Sequence, residues 1–145
     1  MDDLTRSGEP ACAFCEYLAG ARPYTVLTRD DETAVLVTRE QRGVAHLLVI
    51  PVLHVPTILE LPDRLSAPLL RRVRDAATWI VTAYQPAGVA VWQNNGTAAG
   101  QAVDHLHFHV AGTLPGGGTN FGDVDEVDLA VTEAIARRLQ AGGLI

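Results

Sequence analysis

The sequence predicts an α+β fold with an antiparallel sheet of about five strands, two main helices and a further C-terminal helix. Three observations carry this. Short β-branched and apolar runs alternate with turn signals, as in "YTVLT", "TAVLVT", "HLLVIP" and "GVAVWQ". Two longer stretches repeat apolar residues at helical spacing. The strands are joined by hairpin-like links and not by regular β-α-β crossovers, which points to antiparallel pairing.

In chain order, the polar residues 1–11 are expected to form a flexible N-terminus. "CAFCEYLAG" reads as a short helical turn closing at Gly20, with Phe14, Tyr17 and Leu18 inward. "RDDE" links the first two strands as a hairpin, and Pro51 ends "HLLVIP". Asp63 or Ser66 is expected to cap the next helix, with Pro68 in its first turn. Leu70, Val73, Ala77, Ile80, Val81 and Tyr84 mark its apolar stripe, and Pro86 stops it. "NNG" supplies turn chemistry after the "GVAVWQ" strand. "HLHFHVAG" is then read as a strand, and "PGGG" breaks the chain. A final helix is expected from about Val124 to Gln140, with Val127, Val131, Ile135 and Leu139 in a stripe that needs an apolar partner, in its own domain or across a dimer.

Composition narrows the function. The 145 residues suit one domain, and 48% are apolar, enough for a core. The net charge of −6 argues against a nucleic-acid polymer or an anionic membrane as main partner. The longest uncharged run, Val44 to Ile58, is interrupted by two histidines and two prolines and is too short to span a bilayer. No signal-peptide pattern opens the chain, so a soluble cytoplasmic protein is expected. Cys12 and Cys15 are then thiols or metal ligands in preference to a structural disulfide.

Three of the five histidines fall in "DHLHFHVAG", at 105, 107 and 109. At i, i+2 and i+4 of a strand they share one face, while Leu106, Phe108 and Val110 enter the core. A three-histidine metal site is opposed by geometry, since the outer two lie about 13 Å apart along a strand. A merely solvated face makes perfect alternation a coincidence. The remaining reading is catalytic, with one imidazole reacting while its neighbours orient it and contact an anionic substrate. Just upstream, "QNNGTAAGQAVD" is a Gly-rich loop able to turn N–H groups towards a phosphate, with Asn94 and Gln101 as amide donors. It lacks a Walker lysine, and taken alone it is equally an ordinary hairpin connection.

These residues resemble the histidine-triad (HIT) family, whose signature His-φ-His-φ-His-φ-φ is met by "HLHFHVA", 105–111. "NNGTAAGQ", "GVAHLLVIPVLHV" and "CAFCEYLAG" are similar to its other recurring stretches. The resemblance covers 12–113 as a HIT-like domain and leaves 114–145 as a C-terminal extension. It implies a homodimer acting on a nucleoside phosphate derivative, as hydrolase or nucleotidyl transferase, at phosphoramidate or phosphoanhydride bonds. By this resemblance His107 attacks the α-phosphorus to give a nucleotidyl-histidine, and His109 and His46 assist. Asn94, Gly100, Gln101, His109 and Thr38 would contact the substrate.

Cys12-x-x-Cys15 is by itself half of a zinc pattern, two buried thiols or a redox pair. The resemblance to metal-bearing members completes it with His54 and His105, a closed Cys₂His₂ set for one structural zinc. Two positions depart from the family pattern. Thr38 stands where an Asp or Asn usually meets the ribose, and Ala102 where a Ser or Thr meets the leaving group. These departures favour the rival reading, a nucleotide-binding or scaffolding protein with little activity.

Overall fold

The computed structural model describes residues 12–145, so the N-terminal segment expected to be flexible lies outside the described residues. Helix α1 (Ala13–Ala19) is followed by β1 (Val26–Arg29), β2 (Thr33–Val37) and β3 (Val44–Pro51). Then come α2 (Ser66–Tyr84), β4 (Val89–Trp92), β5 (Phe108–Gly112) and α3 (Leu129–Ala141). The five strands form one sheet in the order β1-β2-β3-β5-β4, with every neighbouring pair antiparallel. Class and strand number agree with the sequence reading.

The two sheet faces have different coverings. Leu27, Val35, Val37, Leu47, Val49 and Val110 point one way and pack with Val73, Ile80 and Leu139 from α2 and α3. Ala34, Leu36, Leu48 and Ile50 point the other way, against Cys12 at the start of α1 and Phe14 within it. The period of two in strands makes this division automatic: β2 and β3 are apolar on both faces and therefore lie inside. Because α1 spans only seven residues, it covers part of the second face, and the histidines emerge on the rest.

Local chemistry fixes the connections. Gly20 ends α1 at φ 76°, its N–H reaching the carbonyls of Glu16 and Tyr17. In the β1–β2 turn Asp30 Oδ1 accepts the N–H groups of Glu32 and Thr33, both at 2.8 Å. Arg72 of α2 reaches Asp30 at 2.6 Å and clips the hairpin to the helix. In β3 a bulge falls between Val44 and Leu47, with Ala45 at φ 54°. Beside it, a Cβ on Gly43 would strike the Gly112 carbonyl and the Thr119 side chain, so only glycine allows the approach.

Several sequence expectations are corrected. Neither Asp63 nor Ser66 caps α2: residues 63–65 form a 3-10 turn that runs into the helix, and Leu65 takes the cap position without a side-chain bond. The buried stripe of α2 is Leu69, Val73, Ala76, Trp79 and Ile80, while Leu70 and Val81 face solvent. With apolar residues at both 69 and 70, periodicity allows either phase, and packing on the sheet selects one. The same rotation occurs in α3, which starts at Leu129 and buries Thr132, Ala136 and Leu139. Val131 stays 45% exposed. The Thr132 hydroxyl meets that of Thr25 at 2.7 Å, seating the helix on its own sheet. The strand read from His105 begins only at Phe108, although Leu106, Phe108 and Val110 do enter one core.

Between β5 and α3 the chain returns as a strap over the loop that follows β2. Asn120 N–H donates to the Arg42 carbonyl at 2.7 Å, and Val127 N–H to the Arg39 carbonyl at 2.8 Å. The Arg39 guanidinium returns a bond to the Val127 carbonyl, also at 2.8 Å.

This packing predicts that Leu139→Ala will lower unfolding free energy by roughly 2–5 kcal/mol, because it empties a core site. Val131→Ala should change it by less than about 0.5 kcal/mol. Chemical denaturation of both variants checks the phase of the helix; equal losses would contradict it.

Candidate active site and metal centre

His46, His107 and His109 line a cavity of about 800 Å³ on the face that α1 leaves open. His107 stands at its floor, 8% exposed. Its Nδ1 lies 2.7 Å from the His105 carbonyl oxygen. A carbonyl can only accept, so Nδ1 carries the proton and Nε2 keeps its lone pair. Burial lowers the pKa of His107 below the ordinary histidine value, so the ring is neutral at pH 7.

A second pair of rings follows the same logic. The backbone N–H of Arg42 donates to His46 Nδ1 at 3.1 Å, which leaves the His46 proton on Nε2. That N–H points to His109 Nδ1 at 3.0 Å, so neutral His109 carries its proton on Nε2. Burial and then the neighbouring His107, His46 and Arg42 hold His109 down at about 3. Burial, with Arg42 and His107 adding to it, holds His46 at about 4. One lone-pair imidazole and one donor imidazole thus stand side by side, their ring centres 5.0 Å apart.

The third triad member turns elsewhere. His105 is fully buried, and its Nε2 lies 2.8 Å from the Pro51 carbonyl, which can only accept a hydrogen bond, so Nε2 carries the proton. Its Nδ1 lone pair faces Cys12 Sγ at 3.4 Å, Cys15 Sγ at 3.6 Å and His54 Nδ1 at 3.2 Å. Cys15 Sγ lies 3.4 Å from His54 Nδ1, and one ligand atom from each of the four residues lies within 4.8 Å of the others. Zinc at about 2.0–2.1 Å from nitrogen and about 2.3 Å from sulfur sets tetrahedral ligand atoms roughly 3.3–3.8 Å apart. The four spacings just given, 3.2 to 3.6 Å, fall in or just below that range. Without a cation, burial and then Cys12 push the Cys15 thiol up to about 12. Two soft sulfurs and two imidazole nitrogens converging on one point suit a tetrahedral soft or borderline cation.

Other expected site residues are distributed as follows. Asn94 and Gly100 line the cavity, as do Ala102 and Thr38. The Thr38 hydroxyl is buried and accepts the Glu40 N–H at 3.1 Å. Gln101 does not line the cavity. Its Oε1 accepts from Gly96 N–H at 2.6 Å, and its Nε2 donates to the carbonyls of Pro56 and Val103 at 2.7 and 2.9 Å. Its amide is therefore committed to holding the loop 96–103.

Sequence reasoning missed three contributors. Trp92 stacks on His109, with ring centres 4.8 Å apart and planes at 3°. Phe14, read only as an inward residue, stands edge-on to both His105 and His107, at 5.6 and 5.1 Å. The strap brings Asn120, Phe121, Asp123 and Glu126 to the cavity from the extension. For Trp92 a signal existed, because it is the register partner of His109 across β4 and β5.

Comparison with known proteins agrees with this geometry. The chain is 31% identical over 137 residues to Protein hit of Bacillus subtilis, covering 88% of this chain and 94% of that protein. It is 33% identical over 100 residues to an adenosine 5'-monophosphoramidase of Schizosaccharomyces pombe, covering 69% and 72% respectively. Among solved structures it is similar to a Zn-bound histidine triad family protein from Mycobacterium smegmatis. That match has TM-score 0.76 and 26% identity, over 93% of this chain and 94% of that one. The HIT domain family matches residues 19–115, and with the fold and histidine geometry in agreement, the chain belongs to that family.

Proposed function

We propose that this protein is a hydrolase or nucleotidyl transferase acting on nucleoside phosphate derivatives through His107. The observation that carries the reading is the His107 ring, neutral, with Nδ1–H on a carbonyl and Nε2 free inside the cavity. The similarity to an adenosine 5'-monophosphoramidase supports a nucleotide substrate and a phosphoramidate bond.

In the step proposed, His107 Nε2 attacks the α-phosphorus and the bond from phosphorus to the leaving group breaks. The neutral His109 Nε2–H is the hydrogen-bond donor beside it, placed to stabilise charge on the departing nitrogen or oxygen, which leaves with the bonding electrons and takes its proton from water. His46 holds His109 in that tautomer. Water or another acceptor then attacks the same phosphorus and frees His107. Asn94 and the loop at Gly100, whose φ is 92°, are the proposed phosphate contacts, with Thr38 at the ribose. Gln101 serves by shaping that loop. The homodimer expected from the resemblance fits the sheet edge at β4, where Val91 stands 49% exposed. No described helix is long and apolar enough to cross a membrane.

Cys12, Cys15, His54 and His105 are the proposed holders of one zinc ion, which would supply structural closure between the N-terminal helix and the histidine segment. The similarity to a Zn-bound relative supports this choice of metal.

Turnover of a nucleoside phosphoramidate tests the reading. His107→Ala should abolish it while the fold persists; a variant keeping most of the wild-type rate would refute the assignment. The acid limb of kcat/KM should lie below pH 6.5, because protonated His107 cannot attack and its pKa is depressed. A limb at or above pH 7 would contradict the burial argument.

Elemental analysis of protein purified without chelator should find about one zinc per chain, lost in Cys12→Ser. Metal-free protein with wild-type stability would overturn the metal assignment.

A further inference from the structure

We propose that Trp92 is a positioning residue for His109, holding the plane of that imidazole so that its Nε2–H is presented to the leaving group; this rests on the function proposed above. Antiparallel register places Trp92 directly opposite His109, so both side chains rise from the same sheet face. The indole lies flat on the imidazole, with planes at 3° and centres 4.8 Å apart. The same indole is tilted at 46° against His46, at 5.1 Å. One aromatic surface therefore backs both members of the donor pair.

The need for such a backing follows from side-chain torsions. The last torsion of a histidine is broad and nearly two-fold, so nothing intrinsic sets its ring plane. A single hydrogen bond from His46 Nε2–H to His109 Nδ1 fixes a point on the ring but leaves it free to swing about that point. The flat indole blocks the swing towards its own face, and the His107 ring, at 63° and 5.0 Å, is a second neighbour that limits it. With planes parallel and centres 4.8 Å apart the contact is an offset stack, an arrangement that aromatic pairs favour over a face-to-face sandwich. Trp92 belongs to neither apolar core cluster among the described residues; it stands half-buried at the cavity wall. Trp79, the other tryptophan, is part of the α2 core and serves as the contrast.

The test uses the zinc-replete full chain with Trp92→Val, Trp92→Leu and Trp92→Phe. The first two remove the flat surface, and the third keeps an aromatic face. Loss of alignment without loss of binding should lower kcat about tenfold in the Val and Leu variants, with KM changed by less than about twofold. Trp92→Phe should recover most of the rate. In proton NMR, the His109 ring signals, shielded by the indole face, should move downfield in the Val and Leu variants and much less in Trp92→Phe. An unchanged kcat in both aliphatic variants would overturn the proposal. So would equal losses in all three, a change confined to KM, or His109 signals that do not move. A wild-type protein without turnover would sink the proposed function instead, and the NMR comparison would still decide whether Trp92 holds the ring.

Discussion

The 2.7 Å contact between the His105 carbonyl and His107 Nδ1 is the constraint on which the site depends. It joins two networks that share no side chain. The His105 ring belongs to the Cys₂His₂ cluster, anchored by Pro51 at the end of β3. Its backbone oxygen belongs to the candidate nucleophile, whose tautomer it sets. Fixing the ring of one residue therefore fixes the reactive nitrogen of another. A buried polar group must find a partner, and here that requirement leaves His107 with only one reactive form at neutral pH.

Strand periodicity carries the rest of the geometry. Apolar residues on both faces of β2 and β3 place those strands at the centre of the sheet, with α2 and α3 closing one side. The short α1 closes the other side only partly. Through Phe14, between the two cysteines, it touches both His105 and His107. The Cys₂His₂ cluster thus ties the first helix to the floor of the cavity, and the strap at 119–127 closes the cavity from the far end of the chain. Arg39 and Arg42 hold that strap through backbone carbonyls, so its position rests on donor geometry more than on net charge.

Much of this was legible in the sequence, and the failures have physical causes. Alternation in "HLHFHV" foretold that Leu106, Phe108 and Val110 would share the core, and they do. It did not foretell that regular strand starts only at Phe108, because side-chain alternation persists in extended chain without ladder bonds. Adjacent apolar pairs such as Leu69–Leu70 and Ile80–Val81 satisfy two helix phases, so the buried stripe of α2 needed the sheet to choose it. Gln101 looked like a substrate donor because its type and spacing suited one. Its amide is instead used up by three loop backbone groups, a fact set by loop closure and invisible to spacing. The strap acts across a long separation in sequence, where no local pattern speaks.

The most direct test of this account is the tautomer of His107, read from its ring nitrogen shifts by ¹⁵N NMR in the zinc-replete protein at pH 7. The account predicts a protonated Nδ1 and an unprotonated Nε2. A ring protonated at Nε2, or one carrying both protons at that pH, would contradict it.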